Sequence, residues 1–146
     1  MTNERGETAR SLALAERVCA RKGLSLTETR RRVLELLLES DGPTKAYDLL
    51  AALRPGGASA RPPTVYRALD FLVGAGLAHK VEALNAYTAC IHGEESGTAE
   101  LFICEACGRV DERHDPHPVL SAPDGFNLRR SVIEHYGLCA DCRDAA

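Results

Sequence analysis

Residues 62–81 read PPTVYRALDFLVGAGLAHKV. Two prolines open the stretch, which suits the first turn of a helix, where a backbone N–H has no partner within the helix. Apolar residues then recur at helical spacing and predict a helix over 63–75 with one buried stripe: Val65, Ala68, Leu69, Leu72 and Val73. Arg67 lies almost opposite that stripe. The pattern therefore predicts an amphipathic helix that exposes a guanidinium group.

Three further helices are predicted on the N-terminal side of this one. Apolar periodicity places them over 7–22, 28–40 and 45–54. Thr27 and Thr44 are the predicted N-caps of the second and third, because a threonine hydroxyl accepts a hydrogen bond from an early helical N–H. Gly23 and the Asp41-Gly42-Pro43 run separate the first three helices.

A β-hairpin is predicted directly after the proline-initiated helix. Residues 77–82 and 87–90 form its strands around a turn at Leu84-Asn85. In that register the predicted cross-strand pairs are Glu82 with Tyr87, Val81 with Thr88, and His79 with Cys90. Helices followed by such a hairpin predict a winged helix-turn-helix, whose last helix enters a DNA major groove. An ordinary amphipathic helix with a solvated face fits the same periodicity.

Charge and cysteine are unevenly spread along the 146 residues, whose net charge is −3. Residues 1–83 hold 13 Lys and Arg against 10 Asp and Glu, whereas residues 84–146 hold 5 against 11. Five of the six cysteines lie in the acidic part. This asymmetry indicates two modules with different functions. Together with the predicted winged helix, it leads us to expect a DNA-binding domain over 1–83, a hinge over 84–91 and a second domain over 92–146.

The sequence shows neither a membrane span nor an export signal. No apolar run is long enough to cross a bilayer, and the first ten residues are polar. We therefore expect a cytoplasmic protein with no membrane partner, whose cysteines stay reduced. Metal binding is then a better interpretation of those cysteines than disulfides.

Four cysteines of the second domain form two Cys-x-x-Cys pairs, Cys104 with Cys107 and Cys139 with Cys142. Four thiolates in a tetrahedral array suit zinc and leave no open coordination position, so the predicted site is structural. The 31 residues between the pairs exceed the usual zinc-ribbon spacing. Four reduced core cysteines, or a redox pair, are the alternatives.

The remaining pattern predicts three strands and one short helix for this domain. Strands are expected over 101–103, 109–113 and 126–136, with a short helix at 117–120.

A second candidate metal site combines His79, Cys90, His92 and Glu112. The first three share one face if the hairpin continues, and Glu112 follows Cys107 by five residues on a strand fixed by the thiolates. One thiolate, two imidazoles and one carboxylate form a mixed set that zinc accepts. Taken singly, each side chain also suits a packing or solvated role. Because the ligands come from both domains, a bound metal would lock the hinge, as a sensor requires.

Five stretches, in order along the chain, resemble the ferric uptake regulator (Fur) family and its zinc uptake regulator (Zur) subgroup. They are AYDLL at 46–50, PPTVYRALDFL at 62–72, HKVE at 79–82, FICEACG at 102–108 and GLCADC at 137–142. The resemblance implies an α+β homodimer with a winged-helix domain and a C-terminal α/β dimerisation domain. It also implies a zinc-responsive repressor that binds palindromic operator DNA of zinc-uptake genes, with about two Zn²⁺ per chain, one structural and one regulatory.

Individual residues match functional positions of the family. The resemblance implies DNA contacts by four residues: Tyr47, Thr64, Tyr66 and Arg67. It implies regulatory ligation by His79, Cys90 and Glu112. The family's remaining histidine has no match at 97–99, which makes His92 the nearest substitute. Three other histidines are candidates for an additional site: His114, His117 and His135.

Two other functions share these features. A sensor of iron or manganese from the same family is one, although the Cys90 thiolate favours zinc. A zinc-ribbon module that docks to a protein is the other. We expect no enzymatic activity and no small organic substrate, because the sequence offers neither a nucleophile–base pair nor an open three-ligand metal site outside the second candidate site.

Overall fold

The computed structural model describes residues 4–53, 61–91, 98–115, 122–128 and 131–145. The chain divides into two compact units, Met1–Gly93 and Glu94–Ala146. Within the described ranges, no helix combines the length and the hydropathy that a membrane span needs.

The N-terminal unit contains the four predicted helices and the hairpin. Its elements are α1 (Glu4–Arg21), α2 (Glu28–Glu39), α3 (Ala46–Leu53), α4 (Pro62–Gly74), β1 (Ala78–Val81) and β2 (Ala86–Ala89). Thr27 caps α2 as predicted, since its hydroxyl accepts a 3.4 Å hydrogen bond from the Arg30 N–H. Two prolines occupy the first turn of α4. The winged helix-turn-helix expectation is therefore confirmed.

The helices enclose a core of aliphatic side chains. Leu34, Leu69 and Leu72 are completely inaccessible to solvent, and Leu12 of α1 and Leu49 of α3 pack into the same cluster. Each fully buried leucine contributes ~1.5–3 kcal/mol to the free energy of folding relative to an exposed leucine. Because the buried stripe of α4 faces this core, the opposite face of that helix, including Arg67, stays exposed.

The hairpin register differs from the prediction. His79 lies opposite Thr88, and Cys90 lies beyond it, where its N–H donates a 2.9 Å hydrogen bond to the Leu77 carbonyl. The predicted pairing of His79 with Cys90 is therefore wrong by two residues. An even slip leaves each side chain on its original face, so His79 and Cys90 still share one side of the hairpin.

The turn explains this slip. Residues Glu82–Leu84 form a short 3₁₀ helix, and Asn85 adopts a left-handed conformation with φ 47°. Glu82 thus belongs to the turn and does not pair with Tyr87. Tyr87 instead lies opposite Lys80, and Val81 lies opposite Ala86 rather than Thr88. A four-residue turn replaces the predicted two-residue turn.

Thr44 is not the N-cap of α3, which begins at Ala46. Its backbone forms an isolated antiparallel bridge with Tyr87. Its hydroxyl donates to the hydroxyl of Ser40, the C-cap of α2, over 2.8 Å. The pairing with the hairpin keeps residue 44 in an extended conformation, so the helix starts two residues later.

The C-terminal unit is built on a three-stranded sheet. Its elements are β3 (Thr98–Cys104), β4 (Val110–Asp115), β5 (Val132–Gly137) and α5 (Ala140–Ala145). The strand order is β4-β3-β5, with β3 antiparallel to β4 and parallel to β5. This mixed architecture confirms the α+β expectation.

In the C-terminal unit one predicted strand needs correction, one helix was missed, and one predicted helix lies outside the described residues. The last strand is shorter than 126–136, because a turn closes where the Phe126 N–H donates to the Pro123 carbonyl over 3.0 Å. Helix α5 was not predicted, since its six residues have no apolar periodicity. The short helix expected at 117–120 falls on residues that are not described.

Candidate metal centres and nucleic-acid interface

The four predicted thiol ligands converge in the C-terminal unit. Cys104 ends β3, Cys107 lies in the turn toward β4, Cys139 precedes α5 and Cys142 lies inside it. Their sulfur atoms all lie within 4.8 Å of one another. The sulfurs of Cys107 and Cys139 are 3.8 Å apart. A tetrahedron with Zn–S bonds of about 2.3 Å has edges of about 3.8 Å, so the cluster fits zinc.

Backbone hydrogen bonds hold this arrangement. The Gly108 N–H donates to the Cys104 carbonyl over 2.9 Å, and the Cys104 N–H donates to the Arg109 carbonyl over 2.8 Å. Gly108 has φ 77°, a left-handed conformation that glycine adopts without strain. The Glu105 N–H donates to the Gly137 carbonyl over 2.9 Å and ties this turn to β5. The first Cys-x-x-Cys turn is thereby anchored to the end of β5, which leads directly into the second.

The thiols differ in acidity. Hydrogen bonds from the backbone N–H groups of Cys139 and Cys107 lower the pKa of Cys104 to about 6. Hydrogen bonds among the thiols raise the pKa of Cys142 to about 12, with the Cys139 side chain as the first cause. A zinc ion requires four thiolates, so its binding releases the protons that the less acidic thiols retain.

The N-terminal unit brings together two ligands of the second candidate site. His79 on β1 and Cys90 after β2 are both buried, with 5% and 4% of their surface exposed. A ring nitrogen of His79 and the sulfur of Cys90 lie within 4.8 Å of each other. An imidazole and a thiolate at this separation can ligate one zinc ion.

The other two candidate ligands are placed differently. Glu112 belongs to the C-terminal unit, where it is half-buried on β4 opposite Leu101. His92 lies outside the described residues.

The predicted additional histidine site gains no support from the described residues. His135 lies on β5, where its ring stacks on Phe102 with centroids 4.7 Å apart. A carboxylate oxygen of Glu100 lies 3.8 Å from its Nε2 atom. His117 and the side chain of His114 are not described, so the site remains a prediction.

The predicted DNA-contacting residues lie at the surface of α3 and α4. Tyr47 in the first turn of α3 is 78% exposed, and Tyr66 on α4 is 51% exposed. Arg67 is also exposed, whereas Thr64 is half-buried. Helices α3 and α4 thus each leave a large aromatic side chain exposed, which indicates a binding surface.

Sequence analysis did not name two further cations that lie beside these helices. Lys45 directly precedes α3, Arg61 directly precedes α4, and both are exposed. A search for basic residues immediately before the two helices would have found them.

A winged helix-turn-helix unit followed by a sheet unit with four convergent thiols defines a metal-binding protein of the helix-turn-helix class. The sequence model of the ferric uptake regulator family matches residues 21–122. The chain therefore belongs to the ferric uptake regulator family, and the sequence-based resemblance is confirmed.

Among its relatives is the zinc uptake regulation protein of Escherichia coli strain K12. That protein is 46% identical over 145 residues, which cover 95% of this chain and 85% of the relative. A solved zinc uptake regulator complexed with zinc and DNA has a TM-score of 0.78 at 42% identity, covering 99% of this chain and 98% of that one. A crystal structure of holo XcZur has a TM-score of 0.72 at 37% identity, covering 92% of this chain and 97% of that one.

Proposed function

We propose that this protein is a zinc-responsive dimeric repressor, not an enzyme, that acts in the cytoplasm and binds palindromic operators of zinc-uptake genes. The observation that carries the proposal is the buried pair His79 and Cys90 on the hairpin that follows α4. A soft thiolate beside an imidazole favours zinc over ferrous iron or manganese. This chain is similar to a zinc uptake regulator solved with zinc and DNA, and that similarity supports zinc and DNA as its binding partners.

Two zinc ions per chain have separate roles in this proposal. One binds the thiolates of Cys104, Cys107, Cys139 and Cys142, whose sulfur spacing suits a closed tetrahedral site. Such a site stabilises the fold around it and exchanges its metal slowly.

The second ion is the regulatory one. His79 and Cys90 supply two ligands from the N-terminal unit, Glu112 supplies one from the C-terminal unit, and His92 is the proposed fourth. Ligands from both units let the ion restrict the segment between them, which fixes the spacing of two recognition helices in a dimer. By thermodynamic linkage, operator DNA then raises the affinity for regulatory zinc by the same factor by which zinc raises the affinity for DNA.

DNA recognition is assigned to the exposed face of α4 and the start of α3. Arg67 has the fork geometry that reads the O6 and N7 edge of guanine in a major groove. Thr64 and Tyr66 lie on the same helix. We assign a phosphate contact to Tyr47, whose side chain is exposed in the first turn of α3. Two such helices in a homodimer bind half-sites about one helical turn apart, or a multiple of it.

Fluorescence anisotropy with a labelled AT-rich palindrome tests this function. The titration is repeated at buffered free concentrations of zinc, iron(II) and manganese(II), at one moderate salt concentration. We expect zinc to promote DNA binding at the lowest free concentration. Promotion by iron or manganese at a lower concentration would identify a different metal sensor of the family, and no metal-dependent binding would favour the protein-docking module.

An Arg67→Ala variant is the matched control for the DNA surface. Loss of a bidentate base contact costs about 1–3 kcal/mol, or roughly 5- to 150-fold in affinity. Zinc content stays at the wild-type value, because Arg67 lies on the exposed face of α4 and is not one of the candidate zinc ligands.

A further inference from the structure

Strand β2 is hydrogen-bonded along both of its edges. One edge pairs with β1, which carries His79. The other edge pairs with residue 44, where the Thr44 N–H donates to the Tyr87 carbonyl and the Tyr87 N–H donates to the Thr44 carbonyl, both over 2.8 Å. The strand thus lies between a proposed zinc ligand and the segment that joins α2 to α3.

The two faces of β2 have different environments. Cys90, beyond the end of the strand, lies on the same face as His79 and Thr88. Tyr87 points to the opposite face and packs into the helical core with 5% of its surface exposed. Burial raises the pKa of its phenol; Lys80 opposes this rise, and the negative charge of Asp70 on α4 adds to it. The strand therefore contacts the proposed metal ligands on one side and the helices on the other.

The segment at residue 44 leads directly into the proposed DNA surface. Thr44 is tied to the end of α2 through the hydroxyl of Ser40. Lys45 and Tyr47 follow within three residues, and both are exposed. Any restriction of the backbone at residue 44 therefore restricts the first turn of α3.

We infer that the backbone pair Thr44–Tyr87 is a positioning contact through which regulatory zinc on His79 and Cys90 orders the start of α3 for DNA. The inference rests on the proposed function. A zinc ion that bridges β1 and the end of β2 fixes one strand against the other, and β2 carries that restriction to residue 44. Without the ion the hairpin moves more freely, and DNA binding must then order α3 as well.

The test compares two DNA affinities for each variant, with the regulatory zinc bound and after its removal by a chelator too weak to empty the four-thiolate site. Their ratio in the wild type is expected to lie between about 5- and 150-fold, the usual range for coupled sites. Thr44→Pro lacks the N–H that donates to Tyr87. We expect its ratio to fall at least threefold while its zinc stoichiometry stays unchanged.

Thr44→Val is the matched control, because it keeps the backbone N–H and the β-branch but loses the hydroxyl. We expect it to retain the wild-type ratio. If Thr44→Pro weakens both DNA affinities by the same factor, residue 44 has only a structural role and the inference is overturned. A wild type without zinc-dependent DNA binding would overturn the proposed function, and this inference with it.

Hydrogen exchange on the wild-type protein gives an independent measurement if Thr44→Pro does not fold. Regulatory zinc is expected to slow amide exchange of Thr44 and Tyr87 several-fold more than that of Leu69 in the core. Equal exchange at Thr44 and Tyr87 with and without this ion would overturn the inference.

Discussion

The two units differ in what holds them together. The N-terminal unit buries a continuous aliphatic core in which Leu34, Leu69 and Leu72 lose all contact with solvent. Among the described side chains of the C-terminal unit, three are buried: Leu101, Ile103 and Cys104. Phe126 there is 62% exposed. The first unit is stabilised mainly by apolar burial. We expect the second unit to depend on the proposed cysteine-bound zinc and on a second copy of the chain in the proposed dimer.

This difference assigns separate roles to the two proposed zinc ions. We expect the C-terminal unit to unfold when the metal leaves the four thiols, which makes that proposed ion unsuited to reversible signalling. His79 and Cys90 lie in a unit whose core does not depend on metal. An ion bound there can leave without unfolding the unit, which is what a reversible sensor requires.

Complete removal of zinc should give the largest effect. With a strong chelator at neutral pH, we expect β3, β4 and β5 to lose protection while α1 to α4 remain folded. Structural zinc contributes about 10–16 kcal/mol of apparent binding free energy in small zinc modules. Residue-resolved hydrogen exchange measures this, and added zinc should restore the signals. A C-terminal unit that keeps its protection without metal would remove the contrast between the units.

A substitution in the helical core should destabilise the N-terminal unit and leave the zinc of the C-terminal unit in place. Leu69→Ala leaves a cavity in the core that α4 packs against. It should lower the free energy of unfolding of the N-terminal unit by about 2–5 kcal/mol. Zinc content of the thiol cluster should not change. Denaturant unfolding followed by helical circular dichroism, together with zinc analysis, measures both quantities. Leu24→Ala, at a side chain already 38% exposed, is the control and should cost much less. Zinc loss caused by Leu69→Ala would show that the two units do not fold separately.

Removal of one surface charge beside the thiol cluster should have the smallest effect, a modest change in the rate of zinc release. The Nε atom of Arg109 lies 3.4 Å from an Asp111 carboxylate oxygen, and an Nη atom lies 3.9 Å from Asp141. Zinc with four thiolates carries a net charge of −2, which a neighbouring guanidinium stabilises. Because its side chain is 55% exposed, we expect Arg109→Gln to release zinc only about two- to fivefold faster to a competing chelator.

Arg143→Gln changes the same charge at a side chain that is 71% exposed and pairs with Asp144. We expect this control to release zinc at close to the wild-type rate. Equal rates for the two variants would show that Arg109 has no specific influence on the cluster.

The sequence predicted the N-terminal unit well because its signals are local. The 3.6-residue repeat of apolar side chains predicted that Val65, Leu69 and Leu72 lie in the core, and two prolines marked the start of α4. The hairpin register was wrong because a 3₁₀ turn with a left-handed Asn85 has no clear sequence signal. Thr44 was assigned to a helix cap because its pairing with Tyr87 depends on tertiary structure.

Prediction was less complete for the C-terminal unit, because the order and pairing of its strands depend on contacts between residues far apart in sequence. Cys-x-x-Cys spacing identified the thiol cluster, because that spacing is itself the chemical requirement. Helix α5 has no periodic apolar face, so periodicity could not reveal it. The regulatory set remains a proposal as a whole: the structure brings His79 and Cys90 together, whereas His92 lies outside the described residues.

The most direct test of the two-site account is zinc stoichiometry by native mass spectrometry, with DNA affinity measured on the same samples, for the wild type beside Cys90→Ser. We predict about two zinc ions per wild-type chain and about one per Cys90→Ser chain. The variant should remain folded and dimeric but lose its zinc-dependent affinity for DNA. A Cys90→Ser protein that keeps both ions and the full zinc response would contradict the account.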